Sequence, residues 1–347
     1  METMETIDTS RPRRLHPLRI RITTHLHIRH PPPNSPDVPL LTNAPDTKPL
    51  AVLLVGQTGA GKTRTAPVLH AALARHRSHL QPGGGGGGGP ERVPVHFIAD
   101  TYKRFHPAYA TLAKQDSFLA SRASGADARR WLAMACEAAI SRRVDVLLES
   151  ACRHPNDFID LAKAFHRGGY RVEVAVLAVP EGLSRLGILT RFHRQLPEAG
   201  SKGLPLRLTP KKIHDVSYAG LVASAEWIDA EEGVDQVLVV RRGNLVAFGS
   251  ERRAGKLEGS VVDVVKRERL RPLSEEEKHL AEQDIAFLGG VEAAAEGLAE
   301  VRALLAPLWT REKQDQEFPP LLPLQFPSAP GCSGKKNFNV MRLGALE

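Results

Sequence analysis

Short, almost unbroken apolar runs recur through the middle of this chain, each closed by a polar or glycine-rich stretch. AVLLV at residues 51–55 is the first, and VPVHFIAD (ending at Asp100), VDVLLES (ending near Glu149), YRVEVAVLAV (170–179) and VDQVLVVRR follow. Runs of this length, rich in Val, Ile and Leu, predict strands buried on both faces. Between them the apolar positions recur at helical spacing, which predicts helices near 64–79, 127–143, 155–167 and 210–228. Trp131 and Met134 read as core positions of the second. Thr209 and Pro210 supply an N-cap and a first-turn proline for the last. Strands alternating with helices imply an α/β fold, a parallel sheet with helices on both faces.

The pattern changes toward both ends. Residues 1–48, which include HPPPNSPDVP, are rich in Arg, His and Pro without a sustained period, and are expected to be disordered. Residues 49–250 form the α/β domain, interrupted at 82–90 by PGGGGGGGP, a flexible surface insert. Residues 251–315 are mainly helical. There Ser274 and Glu277 have the spacing of a capping box, and VEAAAEGLAEVRALLAPLW supplies a further helix. The Pro- and Gly-rich stretch 316–347 is expected to be a disordered tail.

Composition narrows the function. No apolar run is long enough to span a bilayer, and the Arg11–Arg14 segment lacks the apolar stretch of a signal peptide, so the chain reads as soluble and cytoplasmic with no membrane partner. Cys136, Cys152 and Cys332 are too few and too scattered for a disulfide framework or a zinc site. The net charge of +8 resides in residues 51–250, the flanks nearly cancelling, as suits a domain that handles anions. Aromatic residues make up only 5% and no basic run is interleaved with them, which argues against nucleic acid as a partner.

The first apolar run leads directly into Gly56, Gln57, Thr58, Gly59, Ala60, Gly61, Lys62 and Thr63, the pattern G-x-x-x-x-G-K-[ST]. Glycines let successive backbone N–H groups turn toward one anion, the lysine reaches the outer phosphates of ATP or GTP, and the threonine hydroxyl is placed to ligate Mg²⁺. The P-loop fixes nucleotide binding but leaves open a switch, an ATPase or transfer to an acceptor. Ligands of open parallel sheets bind beyond the carboxyl ends of the strands, where Asp100 and Glu149 also fall. Asp100 is a candidate base for an attacking hydroxyl, and Glu149 is a candidate Mg²⁺-associated acid closing an apolar strand.

DTYKRFHPAY (100–109), EAAISR (137–142), LLESACR (147–153), AVPEGLSRLGILTRF (178–192) and LRLTPKKIHD (206–215) occur in the order and spacing of the zeta toxin family, which this chain resembles over about residues 49–248. Those proteins are P-loop kinases of toxin–antitoxin systems that use ATP to phosphorylate the amino-sugar 3′-hydroxyl of UDP-N-acetylglucosamine. The resemblance implies that Lys62 and Thr63 serve the nucleotide phosphates and Mg²⁺ and that Asp100 is the base. It further implies that Glu137, Glu149 and Arg153 line the sugar-nucleotide pocket, and that Arg191 and Arg207 clamp the transferred phosphoryl group. A separate antitoxin protein becomes a candidate partner. His106 and His214 fall in matching blocks and read as loop-fixing residues. Two departures concern the acceptor: Ala99 precedes the base where the family often has a polar residue, and ESA replaces EGT, so Ala151 has no hydroxyl to offer. They keep a kinase for another small hydroxyl acceptor in view beside a nucleotide switch or ATPase.

Overall fold

Every residue of the run Leu50–Val55 is buried, and its side chains alternate between two cores on opposite faces of a sheet. Ala51, Leu53 and Val55 join one core, and Leu50, Val52 and Leu54 the other. Burial of a large aliphatic side chain stabilises by roughly 1.5–3 kcal/mol, so this strand is the central support of the domain. The computed structural model describes residues 48–79, 93–201, 206–309, 318–327 and 338–344; the extension read as disordered up to residue 47, the glycine insert at 82–90 and Cys332 lie outside the described residues.

In chain order the fold runs β1 (Leu50–Val55), α1 (Lys62–His79), β2 (Val95–Ile98), α2 (Ala99–Tyr102), α3 (Tyr109–Gln115), α4 (Ser117–Ser141), β3 (Val146–Ser150) and α5 (Pro155–Arg167). It continues with β4 (Arg171–Leu177), α6 (Glu181–Ser201), α7 (Lys211–Ala230), β5 (Gln236–Arg241), β6 (Leu245–Glu251), α8 (Val261–Leu270), α9 (Glu275–Gly289), α10 (Ala295–Trp309) and β7 (Leu322–Pro323). One seven-stranded sheet has the order β2-β3-β1-β4-β5-β6-β7. The first five strands in that order are parallel, and β6 and β7 are antiparallel additions. Helices α4, α5, α7 and α8 bury their apolar sides in one core, while α1, α6, α9 and α10 cover the other.

The α/β architecture is the one expected from the apolar runs, and four local differences have physical reasons. Helix α4 begins ten residues before the expected 127, with Asp116 accepting from Phe118 N at 2.7 Å as its N-cap. Gly125 and several small polar residues mask the apolar period in that first part. Met134, expected in the core, is exposed there. Helix α6 was not expected, because Gly182, Gly187 and an internal Pro197 weaken its helical signature. At α7 the N-cap position is held by Pro210 rather than Thr209, with no side-chain cap bond.

The C-terminal stretch differs most. The capping box of Ser274 and Glu277 is present with both reciprocal bonds. Glu277 also pairs with the fully buried Arg241 at 2.5 Å, which ties α9 to the end of β5. Parts of the stretch read as a disordered tail pack on the domain: β7 pairs with β6, and Met341 and Leu343 are buried against the α1 side of the sheet. Buried Glu173 accepts from the backbone N–H of Leu343 at 2.8 Å and of Gly344 at 2.9 Å. A Pro- and Gly-rich composition does not reveal that a few apolar residues and a buried carboxylate can hold such a segment.

Candidate active site

The chain leaves β1 through α1 on one face of the sheet and leaves the neighbouring β3 through α5 on the other. Neighbouring parallel strands whose connections diverge in this way leave a crevice at their carboxyl ends. The glycine-rich loop spans one side of it, and Gly56 N donates to Ser150 O at 3.1 Å across the gap.

The loop is gripped from several elements. Gln57 Nε2 donates to Val179 O at 2.7 Å, and Thr58 N donates to Ser217 Oγ at 3.1 Å. Arg242, in the turn between β5 and β6, donates to the carbonyls of Gly59 at 2.9 Å and Leu183 at 2.6 Å. Burial lowers the Arg242 guanidinium to about 10, with nearby Arg64 adding to the effect. Gly59 has φ +83°, and a Cβ there would lie 2.0 Å from Ser184 O, so only glycine fits. Gly61 has φ +103° with open space where its Cβ would be. Lys62 Nζ donates to Gly56 O at 2.6 Å and Gln57 O at 3.2 Å, which holds the ammonium across the loop. Burial pushes this ammonium below its ordinary value; Glu149 and Cys152 oppose the shift, Arg191 reinforces it and Asp100 opposes it. Thr63 is exposed in the first turn of α1.

Beside the loop lies a cavity of about 580 Å³. Its floor is the end of β3 with the turn that follows, from Leu148 to Arg153, and its walls come from α2, α4, the start of α5 and the segment before α7. That turn is sharply bent. Cys152 has φ +48°, and its N–H donates to Ser150 Oγ at 3.2 Å. It can fold this tightly because α7 presents Gly220 to it, where a Cβ would come within 2.0 Å of Cys152 O.

Asp100, Glu149, Arg153 and Arg207 all line this cavity. Asp100 is not the last residue of a strand; β2 stops at Ile98 and Asp100 sits in the one-turn helix α2, with its side chain 74% exposed. Partial desolvation pushes its carboxyl up, but Lys103, then Arg207 and Lys62, outweigh this and hold it below the usual carboxylate range. Glu149 is buried and meets His96 Nε2 at 2.9 Å. Arg207 lies over the Phe118 ring, 5.5 Å from its centroid. Arg191 is exposed on α6 and outside the cavity lining, within electrostatic reach of Lys62.

Glu137 does not join them. It is exposed in the last turns of α4 and absent from the cavity wall. Because α4 leads into the start of β3, its C-terminal turns lie toward the amino ends of the strands, away from the site at their carboxyl ends. The α4 residues that do line the cavity come earlier and include Ser121, Arg122 and Arg129. These, with Lys103, are site-facing groups that the sequence reading missed. The only signal for Lys103 was its place three residues after Asp100, one helical turn away.

The histidines have structural partners. His106 Nδ1 accepts from Ala108 N at 3.2 Å, and buried His214 contacts Ser184 Oγ at 2.8 Å and Asp215 at 3.2 Å. Glu181, His214 and Asp215 cluster closely enough to suggest a metal site, but Arg185 bridges Glu181 and Asp215 at 2.7 Å each and supplies their counter-charge. No described helix is long and apolar enough to cross a membrane.

The family model described as Zeta toxin matches residues 40–253. No curated protein matches the sequence. Among solved structures, the chain is similar to one from the PezAT chromosomal toxin-antitoxin system of Streptococcus pneumoniae, at 18% identity, covering 74% of this chain and 87% of that chain with a TM-score of 0.54. This likeness is one of fold. The native AvrRxo1-ORF1:-ORF2 complex aligns at 15% identity over 75% of this chain and 78% of that chain, with a TM-score of 0.43. The same complex with ATP aligns at 15% identity over 76% and 77%, with a TM-score of 0.44.

Proposed function

The chain belongs to the zeta toxin family, a family of phosphotransferases, and from that premise we propose that it transfers the γ-phosphoryl group of ATP to a hydroxyl of a small acceptor. The observation that supports this reading is the shared crevice: a braced glycine-rich loop and a cavity with a carboxylate at its wall open at the same end of the sheet. A switch or simple ATPase has no need of such a cavity beside the loop.

The transfer is chiefly positioning and charge neutralisation. Lys62 meets the outer phosphates. Arg191 on the loop side and Arg207 on the cavity side stabilise the transferred group, as planar guanidinium groups suit phosphate oxygens. The acceptor oxygen bonds to the γ-phosphorus as the bond to the β-phosphate oxygen breaks; the hydroxyl proton passes to Asp100 and ADP leaves. Glu149 and Arg153 orient the acceptor. The open space at Gly61 and the exposed Thr63 hydroxyl fit a phosphate with a hard cation beside it. Mg²⁺ held by Thr63 would neutralise phosphate charge.

The acceptor we propose is UDP-N-acetylglucosamine, phosphorylated on the 3′-hydroxyl of its sugar, with a separate antitoxin chain as the protein partner. Ala151 favours a second reading, a different hydroxyl acceptor, because it lines the cavity without a hydroxyl of its own. Mass spectrometry after incubation with ATP, Mg²⁺ and UDP-N-acetylglucosamine tests the pair. A sugar nucleotide heavier by one phosphoryl group supports the first acceptor; no such product, with ATP turnover stimulated by another hydroxyl compound, supports the second.

A further inference from the structure

Asp100 alone is poorly suited to a directional task. It sits in a helix of one turn with its side chain 74% exposed, where a carboxylate samples several rotamers. Lys103 changes this. Its Nζ lies 2.6 Å from Asp100 Oδ1 and donates to Ser121 Oγ at 2.8 Å. An exposed i,i+3 ion pair is usually worth little because both chains are mobile. Here the lysine side chain is only 11% exposed and Ser121 is buried on α4, so the ammonium is anchored from behind and the carboxylate completes its coordination.

From this geometry we infer that Lys103 is the positioning residue of the base: it fixes one oxygen of Asp100 so that the other is presented to the acceptor hydroxyl. The inference rests on the reading of Asp100 as the proton acceptor. Other charged groups act on Asp100 or line the same cavity. Lys62 comes from the loop, Arg207 from the segment before α7, Arg122 and Arg129 from α4, and Glu149 and Arg153 from the end of β3. Among these cations Lys103 makes the direct contact, so its loss should free both the rotamer and the titration of the carboxylate. Keeping the base paired weakens it, but a loose phosphoryl-transfer transition state asks more for orientation than for basicity.

The test uses the full chain, with ATP and UDP-N-acetylglucosamine as the probes, and compares wild type, Lys103→Met, Lys103→Arg, Ser121→Ala and Asp100→Asn. Lys103→Met should lower kcat about tenfold or more, since alignment of the base is lost while binding is not. It should leave the KM for ATP nearly unchanged and move the acidic limb of the pH profile upward, since the cation that holds the carboxyl down is gone. Lys103→Arg should restore the limb. Ser121→Ala, which loosens the anchor but keeps the charge, should lower kcat less and leave the limb in place. An unshifted limb and unchanged kcat in Lys103→Met, with Asp100→Asn inactive, overturn the inference alone. An active Asp100→Asn overturns the reading of the base and the inference with it. Titration of the Asp100 carboxyl by carbon NMR in wild type and Lys103→Arg needs no acceptor and no loss of the cation. A midpoint at the ordinary aspartate value in the wild type refutes the pairing even if Lys103→Met does not fold or the sugar nucleotide is not the acceptor.

Discussion

Replacing Gly220 by alanine probes whether the sharp turn after β3 sets the shape of the cavity beside the loop. The added Cβ would lie 2.0 Å from Cys152 O, and both atoms belong to rigid backbone, one in a helix and one in a buried turn. Relieving the overlap to an ordinary carbon–oxygen separation of about 3.3 Å requires a shift of about 1.3 Å. Overpacking of this kind costs about 1–3 kcal/mol, because the helix must move off the core or the turn must open. Moving the turn also displaces Ala151 and Arg153, which form part of the cavity floor. A misplacement of about 1 Å can cost about a hundredfold in rate. Thermal unfolding and initial-rate kinetics with ATP and UDP-N-acetylglucosamine check both consequences: a lowered midpoint, and a kcat/KM for the acceptor reduced by at least tenfold. An unchanged midpoint with unchanged acceptor kinetics would refute the idea that this close contact shapes the site.

Two further outcomes are expected. Lys62→Ala removes the cation held across the loop, so turnover should fall by about a hundredfold or more; near-normal turnover in steady-state assays would exclude the loop as the reaction centre. Ending the chain at residue 315 removes Met341 and Leu343 and leaves Glu173 without two backbone donors, which should lower stability by several kcal/mol. Urea denaturation with an unchanged midpoint would show that the C-terminal contacts contribute nothing.

The parallel strands and most helices were legible because their residues are apolar in uninterrupted runs or at helical spacing, as at Leu50–Val55 and at Phe158, Ala162 and Phe165 of α5. Helix α6 was not, since two glycines used for close packing and an exposed internal proline weaken its helical signature. Within the site, the glycine-rich loop was legible because its glycines and lysine have a fixed spacing imposed by backbone geometry. Lys103 was not, because an exposed lysine and an anchored one look the same until Ser121 is seen above it. Glu137 shows the converse: a matching block in the sequence places a residue on the right helix and still at the wrong end of it.

The central claim is transfer of phosphate to an acceptor with Asp100 as base, and Asp100→Asn addresses it most directly. The substitution keeps shape but cannot accept a proton in the same way. Measured side by side with wild type, the variant should bind ATP with nearly unchanged affinity while forming phosphorylated UDP-N-acetylglucosamine about a hundredfold more slowly or less. Equal rates of product formation by the two proteins would contradict the account.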